Sequence, residues 1–89
     1  MRQQDVTIVN KLGMHLRAAA VFIEAANKYE CMVYLRKDER TVNAKSIMGL
    51  MTLAATYGST VTVICEGEDE NEALRVLTEL ISNRFGEKD

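Results

Sequence analysis

In TVTVICEGEDENEALRVLTELI (60–81) a strand runs directly into a helix. The first seven residues are rich in β-branched side chains and read as a strand. Asp69, with Glu72 three residues on, has the form of a capping box. Leu74, Leu77, Leu80 and Ile81 then fall on the inner stripe of a helix that ends near Phe85 and Gly86.

The segments upstream carry the same two periods. SIMGLMTLAATYG (46–58) starts with Ser46, a good N-cap residue, and continues with Ile47, Leu50, Met51, Leu53 and Ala54. It is expected to stop at Gly58, in the C′ position. CMVYLRK (31–37) alternates Cys31, Val33 and Leu35 against Met32, Tyr34 and Arg36. The polar pair Asp38-Glu39 turns it into RTVNA (40–44), which predicts a hairpin. Between Leu16 and Lys28, Leu16, Ala19, Ala20, Ile23 and Ala26 follow helical spacing. DVTIV (5–9), with Val6 and Ile8 on one face, predicts the first strand. The resulting order is β-α-β-β-α-β-α. Amphipathic helices with one-sided strands predict an α+β, two-layer open-faced sandwich: a four-stranded antiparallel sheet with three helices on one face. The chain, residues 1–89, is expected to form a single domain.

Composition removes several classes of function. With 47% hydrophobic and 27% charged residues the chain has an ordinary globular balance. A net charge of -2 is wrong for a general nucleic-acid binder. No segment approaches the length of a membrane span, and MRQQDVTIVN has no apolar signal core, so a cytoplasmic location without membrane insertion is expected. Cys31 and Cys65 have neither CxxC spacing nor a nearby histidine and read as small hydrophobes in strands. With one histidine in the chain no zinc site is expected. Neither GxxxxGK[ST] nor GxGxxG occurs, so neither metal nor nucleotide cofactor is expected.

The one histidine sits in NKLGMHLRAAAVF (10–22), where a loop turns into an apolar helix. The first amides of a helix lack internal partners and carry the positive end of its dipole, which suits a phosphate. The same field favours the neutral, nucleophilic form of a histidine placed there. Arg17 offers a forked charge to phosphate oxygens, and Gly13 allows an unusual backbone shape and a close approach. These parts describe an exposed His15 able to accept a phosphoryl group, with the anion against the amides of Leu16 and Arg17. A histidine that merely caps or half-fills the helix start fits the same residues. Met14, Leu16, Ala18, Ala19, Ala20, Val21 and Phe22 are more than one helix face can bury, and a docking patch beside a reactive histidine suits a carrier.

NKLGMHLRAAA resembles the active-site loop of the histidine-containing phosphocarrier (HPr) family of the bacterial phosphotransferase system, N-x-x-G-[LM]-H-x-R-P-A. VNAKSIMGLMTLAATYG (42–58) is similar to the regulatory-serine segment of that family, and the likeness runs over the whole chain. The resemblance implies a carrier without a reaction of its own, not an enzyme. In it enzyme I phosphorylates His15 at Nδ1, and the group passes to a IIA-type domain for sugar uptake. It further implies that Arg17 stabilises phosphate and that Ser46 is modified by an HPr kinase/phosphorylase. Met14, Ala20, Ile47, Met48 and Met51 would form the docking surface of a monomer. A regulatory-only, nitrogen-type carrier that serves no transporter is the alternative. Ala18 stands where the family has proline, and Leu16 where it has a small residue.

Overall fold

The computed structural model describes residues 1–89. Its elements are β1 (Arg2–Thr7), α1 (Leu16–Ala26), β2 (Met32–Lys37), β3 (Arg40–Asn43), α2 (Ile47–Leu53), β4 (Thr60–Glu66) and α3 (Glu70–Ser82), followed by a short 3-10 turn at Arg84–Gly86. The four strands pair antiparallel in the order β1-β4-β2-β3. This is the open-faced sandwich that the patterning predicts, with three helices over one face.

β4 owes its nearly unbroken apolar run to its place between β1 and β2. Val61, Thr62, Val63, Ile64 and Cys65 are all buried. Val61, Val63 and Cys65 face the helices with Val33, Leu35, Phe22, Leu50, Leu77 and Ile81. Burying each large side chain of this set contributes about 1.5–3 kcal/mol, so helix docking and sheet closure form one cooperative core. On the outer face the Thr62 hydroxyl donates to Asp5 Oδ1 at 2.6 Å and accepts from Arg36 at 3.5 Å. That polar ladder suits a face turned to water. No helix is long and apolar enough to cross a membrane.

Both cysteines are free and buried, as small core hydrophobes should be. Burial pushes the Cys65 thiol up to about 12, and burial followed by the neighbouring Asp69 carboxylate raises Cys31.

Four local expectations are corrected. β1 begins at Arg2 rather than Asp5, because the polar residues Arg2, Gln3 and Gln4 pair with Cys65, Ile64 and Val63. An edge strand exposed on one face tolerates such residues. The inward side of α1 is Ala18, Ala19, Phe22 and Ala26, while Leu16 and Ala20 point to solvent. α2 stops at Leu53, not near Gly58, because Ala54 takes the left-handed conformation at φ 55°. The residues after it are drawn out as partners of the loop before α1: the Ala55 carbonyl accepts from the Met14 amide at 2.8 Å. Gly58 instead makes the turn into β4 at φ +86°.

The capping box at α3 is not formed either. Asp69 makes no side-chain cap bond; its carboxylate accepts from the backbone amides of Glu30, at 2.8 Å, and Cys31, at 3.0 Å. Glu72 turns outward to Arg75, and Glu70 accepts from the Gly67 amide. Asp69 therefore ties the start of α3 to the approach into β2. The hydrogen bond from the Glu30 amide, and then that from Cys31, hold its carboxyl below the ordinary aspartate range against some desolvation.

A depressed carboxyl stabilises the fold above the unfolded-state value, near pH 4, and loses that effect as pH falls through the folded-state value. Thermal unfolding from pH 7 down to pH 2 is expected to show this acid limb. Asp69→Asn should melt lower at pH 7 and show a shallower acid limb. Identical acid limbs in the two proteins would remove Asp69 from the account.

Candidate functional site

The loop between β1 and α1 is shaped by contacts at both ends. Ile8 and the 58–59 turn exchange two backbone bonds, Ile8 amide to Ser59 carbonyl at 2.9 Å and Gly58 amide to Ile8 carbonyl at 2.8 Å. The fully buried Asn10 accepts from the Gly13 amide through its backbone carbonyl at 3.1 Å, and its side-chain Nδ2 donates to the Gly13 carbonyl at 2.8 Å. Gly13 adopts φ +67°, and a Cβ there would come within 2.7 Å of the Ala55 oxygen. Glycine is required here both for its backbone angle and for the closeness of the 55–56 segment.

His15 is the N-cap residue of α1, with extended backbone angles and no side-chain cap bond. Its carbonyl accepts from the Ala19 amide at 2.9 Å and so closes the first helical turn. The amides of Leu16, Arg17 and Ala18 lie in that turn, out of reach of any helical carbonyl. They form the positive end of the helix, next to the imidazole. The reading of His15 as a side-chain cap therefore fails.

The expectation of a largely exposed His15 is also corrected. Its side chain is only 27% exposed, because Nε2 is paired with Oε2 of Glu87. Glu87 Oε1 in turn accepts from Asn10 Nδ2 at 3.0 Å. Partial burial works against ionisation of Glu87. The hydrogen bonds from Asn10 and His15 and the nearby Arg17 charge outweigh it, and its carboxyl sits below the ordinary glutamate range. With Nε2 donating to this carboxylate, the ring's other nitrogen, Nδ1, is left as its lone-pair acceptor. Neither Glu87 nor Asn10 is among the site residues expected from the sequence. Asn10 stands inside the motif, but Glu87 is 72 residues away and carries no local signal.

His15, Arg17 and Glu87 line one cleft with Lys11, Leu12, Lys88 and Asp89, about 340 Å³ in volume. Arg17 is exposed on its rim, and its side chain makes no hydrogen bond. The cleft is thus edged by three cations and contains two side-chain carboxylates, one of them engaged with the histidine. Such a place can hold a small multivalent anion against the helix start.

The other expected residues are divided. Ser46 lies outside the cleft as the N-cap of α2, its hydroxyl accepting from the Gly49 amide at 3.1 Å. Ile47 and Met48 are exposed, Met48 by 73%, and Met51 is half-buried. With Leu16, Ala20 and Val21 they are the outward apolar residues of α1 and α2, which pack against each other. Met14 does not join them. Its amide is bound to Ala55, and its side chain is in the core with Ala18 and Phe22. Ala18 is fully buried in the first turn of α1. No group of three or more His, Cys, Asp or Glu side chains is placed to hold a metal ion.

Gly13→Ala is expected to destabilise the chain by about 1–3 kcal/mol through its left-handed backbone, with a further cost from the contact at Ala55. Urea unfolding measures it. A change below about 0.5 kcal/mol would mean that this loop moves freely relative to residues 55–56.

Comparison with known proteins agrees with this geometry. A family model described as the PTS HPr component phosphorylation site matches residues 2–83. The phosphocarrier protein HPr of Cupriavidus necator is 52% identical over 87 residues, 98% of each chain. The crystal structure of HPr-C-His from Thermoanaerobacter tengcongensis is 43% identical and superposes with a TM-score of 0.96 over 100% of both chains. A second structure from that organism, described as an HPr dimer, is 44% identical, with a TM-score of 0.78 over 98% of this chain and 100% of that one.

Proposed function

The chain belongs to the PTS HPr family and is a phosphocarrier of the phosphotransferase system, and we propose that it carries the phosphoryl group on Nδ1 of His15. The observation that carries this assignment is the pairing of Nε2 with Glu87, which leaves Nδ1 free at the start of α1. The incoming phosphoryl oxygens find the unpartnered amides of Leu16 and Arg17 on one side and the Arg17 guanidinium on the other. The amides are fixed by the helix before the group arrives, so they stabilise developing charge without reorganising, while the exposed Arg17 side chain is free to turn onto the anion. An N–P bond to imidazole is a high-energy linkage, which is what a carrier needs to pass the group on rather than keep it.

On this reading enzyme I is the phosphoryl donor and a IIA-type domain the acceptor, both acting in the cytoplasm. Each docks on the apolar surface of Leu16, Ala20, Ile47, Met48 and the edge of Met51, beside the cleft. One patch serving two partners in turn is suited by methionine, whose flexible thioether adapts to different surfaces. Ser46 opens α2 immediately beside Ile47 and Met48. A phosphate placed there by an HPr kinase/phosphorylase meets a favourable helix N-terminus, so the fold tolerates it, yet it charges the docking patch. The monomer is the working unit of this cycle. Sedimentation across concentrations is the check, because one relative's structure is a dimer.

Incubation with enzyme I and labelled phosphoenolpyruvate tests the assignment. The wild type should take one acid-labile, alkali-stable phosphate, and His15→Ala none, with the variant still folded. Labelling of His15→Ala at the wild-type rate would sink the assignment. Arg17→Ala should raise the transfer barrier by up to about 2–4 kcal/mol, the cost of losing one donor of an oxyanion site. Transfer within twofold of wild type would show that the backbone amides suffice.

Ser46→Asp should bind enzyme I more weakly while melting close to the wild-type temperature. Calorimetric titration checks it. Equal affinity would leave Ser46 as a cap alone.

A further inference from the structure

The segment after α3 is bound down along the His15 loop. Arg84, Phe85 and Gly86 all have left-handed backbone angles, φ 60°, 54° and 82°, and two of the three are not glycine. Strain of this kind persists only where the surroundings over-determine it. Here they do. Phe85 is buried in the core, the Gly86 amide binds Asn83 at 3.0 Å, and the Glu87 amide binds Arg84 at 2.9 Å. Beyond Glu87, the Asp89 carbonyl accepts from the Lys11 amide at 2.5 Å. Glu87 is thus held on both sides, and its two oxygens engage different partners, Asn10 and His15. Asn10 is itself fully buried and bonded to Gly13, so the carboxylate is aimed from a fixed base.

We propose that Glu87 is a positioning residue for phosphoryl transfer. By accepting the hydrogen bond from Nε2–H it sets the His15 tautomer so that Nδ1 is the nucleophile, and it keeps a phosphoryl group off Nε2. The proposal rests on the assignment of His15 as the phosphoryl acceptor. In the transfer step the Nδ1 lone pair attacks phosphorus. The new N–P bond forms as the donor's bond to phosphorus breaks, and that electron pair leaves with the donor atom. The Nε2 proton stays where it is, so the phosphorylated ring carries a positive charge, which the Glu87 carboxylate faces. Onward transfer runs the same sequence in reverse, and a ring kept protonated at Nε2 is the better leaving group. A second nitrogen anchored by a carboxylate serves catalytic histidines elsewhere in the same way.

Glu87→Gln keeps the size of the side chain but removes its charge, and it leaves an acceptor at only one of the two positions that face Asn10 and His15, with an NH2 group at the other. Glu87→Ala removes the contact altogether and serves as the second variant. Three readouts are taken on each: ¹⁵N shifts of the His15 ring in the unphosphorylated protein, steady-state transfer from enzyme I, and the melting temperature. The wild-type ring should be almost wholly the Nε2–H tautomer, and both variants should show a mixture. Their kcat should fall roughly tenfold, in line with residues that orient a functional histidine through its second nitrogen, while KM stays unchanged because docking is elsewhere. A merely structural role would lower the melting temperature without moving the ring shifts. Unchanged ring shifts, with kcat within twofold of wild type in both variants, would overturn the proposal. Failure of the wild type itself to take phosphate on His15 would overturn the underlying assignment instead. The wild-type lane alone shows that outcome.

Discussion

The structure depends on the close approach of residues 8–14 to residues 55–59. The Ala55 carbonyl takes the Met14 amide, Gly13 leaves no room for a Cβ against the same oxygen, and Ile8 exchanges two bonds with the 58–59 turn. Much follows from this contact. α2 ends five residues before Gly58, with Ala54 turned left-handed, because the chain beyond it is needed as a partner for the loop. Met14 is pulled into the core rather than left on the surface. Its neighbour His15 is thereby placed as the N-cap of α1, its ring paired with Glu87 and not in the interior.

Within that frame the site is an electrostatic compromise. On the proposed assignment, a phosphoryl dianion on His15 would be favoured by the amides of α1 and by Arg17, and opposed by the nearby carboxylate of Glu87. Glu87 faces the far nitrogen of the ring, however, and takes a hydrogen bond from Asn10 as well. Its charge is thus largely spent on groups other than the proposed phosphate position. A carrier must neither hold its cargo too tightly nor lose it to water, and opposing charges on the two sides of one imidazole suit that requirement.

Elements whose pattern is set by their own burial were legible in the sequence. β2, β3 and β4 lie within a residue of their expected bounds, since alternation reports directly which side faces the core. The stripe of α3 is likewise as expected, but the helix ends at Ser82 rather than near Phe85 and Gly86, because Arg84 and Phe85 turn left-handed. His15, Gly13 and Arg17 were legible because the loop-to-helix transition is local. What failed had its cause elsewhere in the chain. The polar start of β1 is a strand only because β4 supplies its ladder. Asp69 looks like a cap in its own neighbourhood, but its carboxylate binds amides 38 and 39 residues back. On α1, apolar residues on nearly every side left no stripe to choose, and packing selected Ala18, Ala19, Phe22 and Ala26. Glu87 is one acidic residue in a short polar stretch, and only the path of the chain past Phe85 brings it to His15.

The position of β4 between β1 and β2 also bears on how the chain acquires its shape during synthesis. β1 has no partner in the sheet except β4, so its pairing closes a loop of more than fifty residues. Closing that loop costs entropy before any contact rewards it, and non-local pairing of this kind slows folding. The hairpin of β2 and β3 is local and can form early, but the histidine loop cannot. It takes its shape from residues 55–59 and is finished by residue 87. A growing chain on the ribosome therefore presents its histidine in an unformed loop until nearly all of these residues have emerged. The His15 ring reaches its folded setting in one late, cooperative step, together with the core itself.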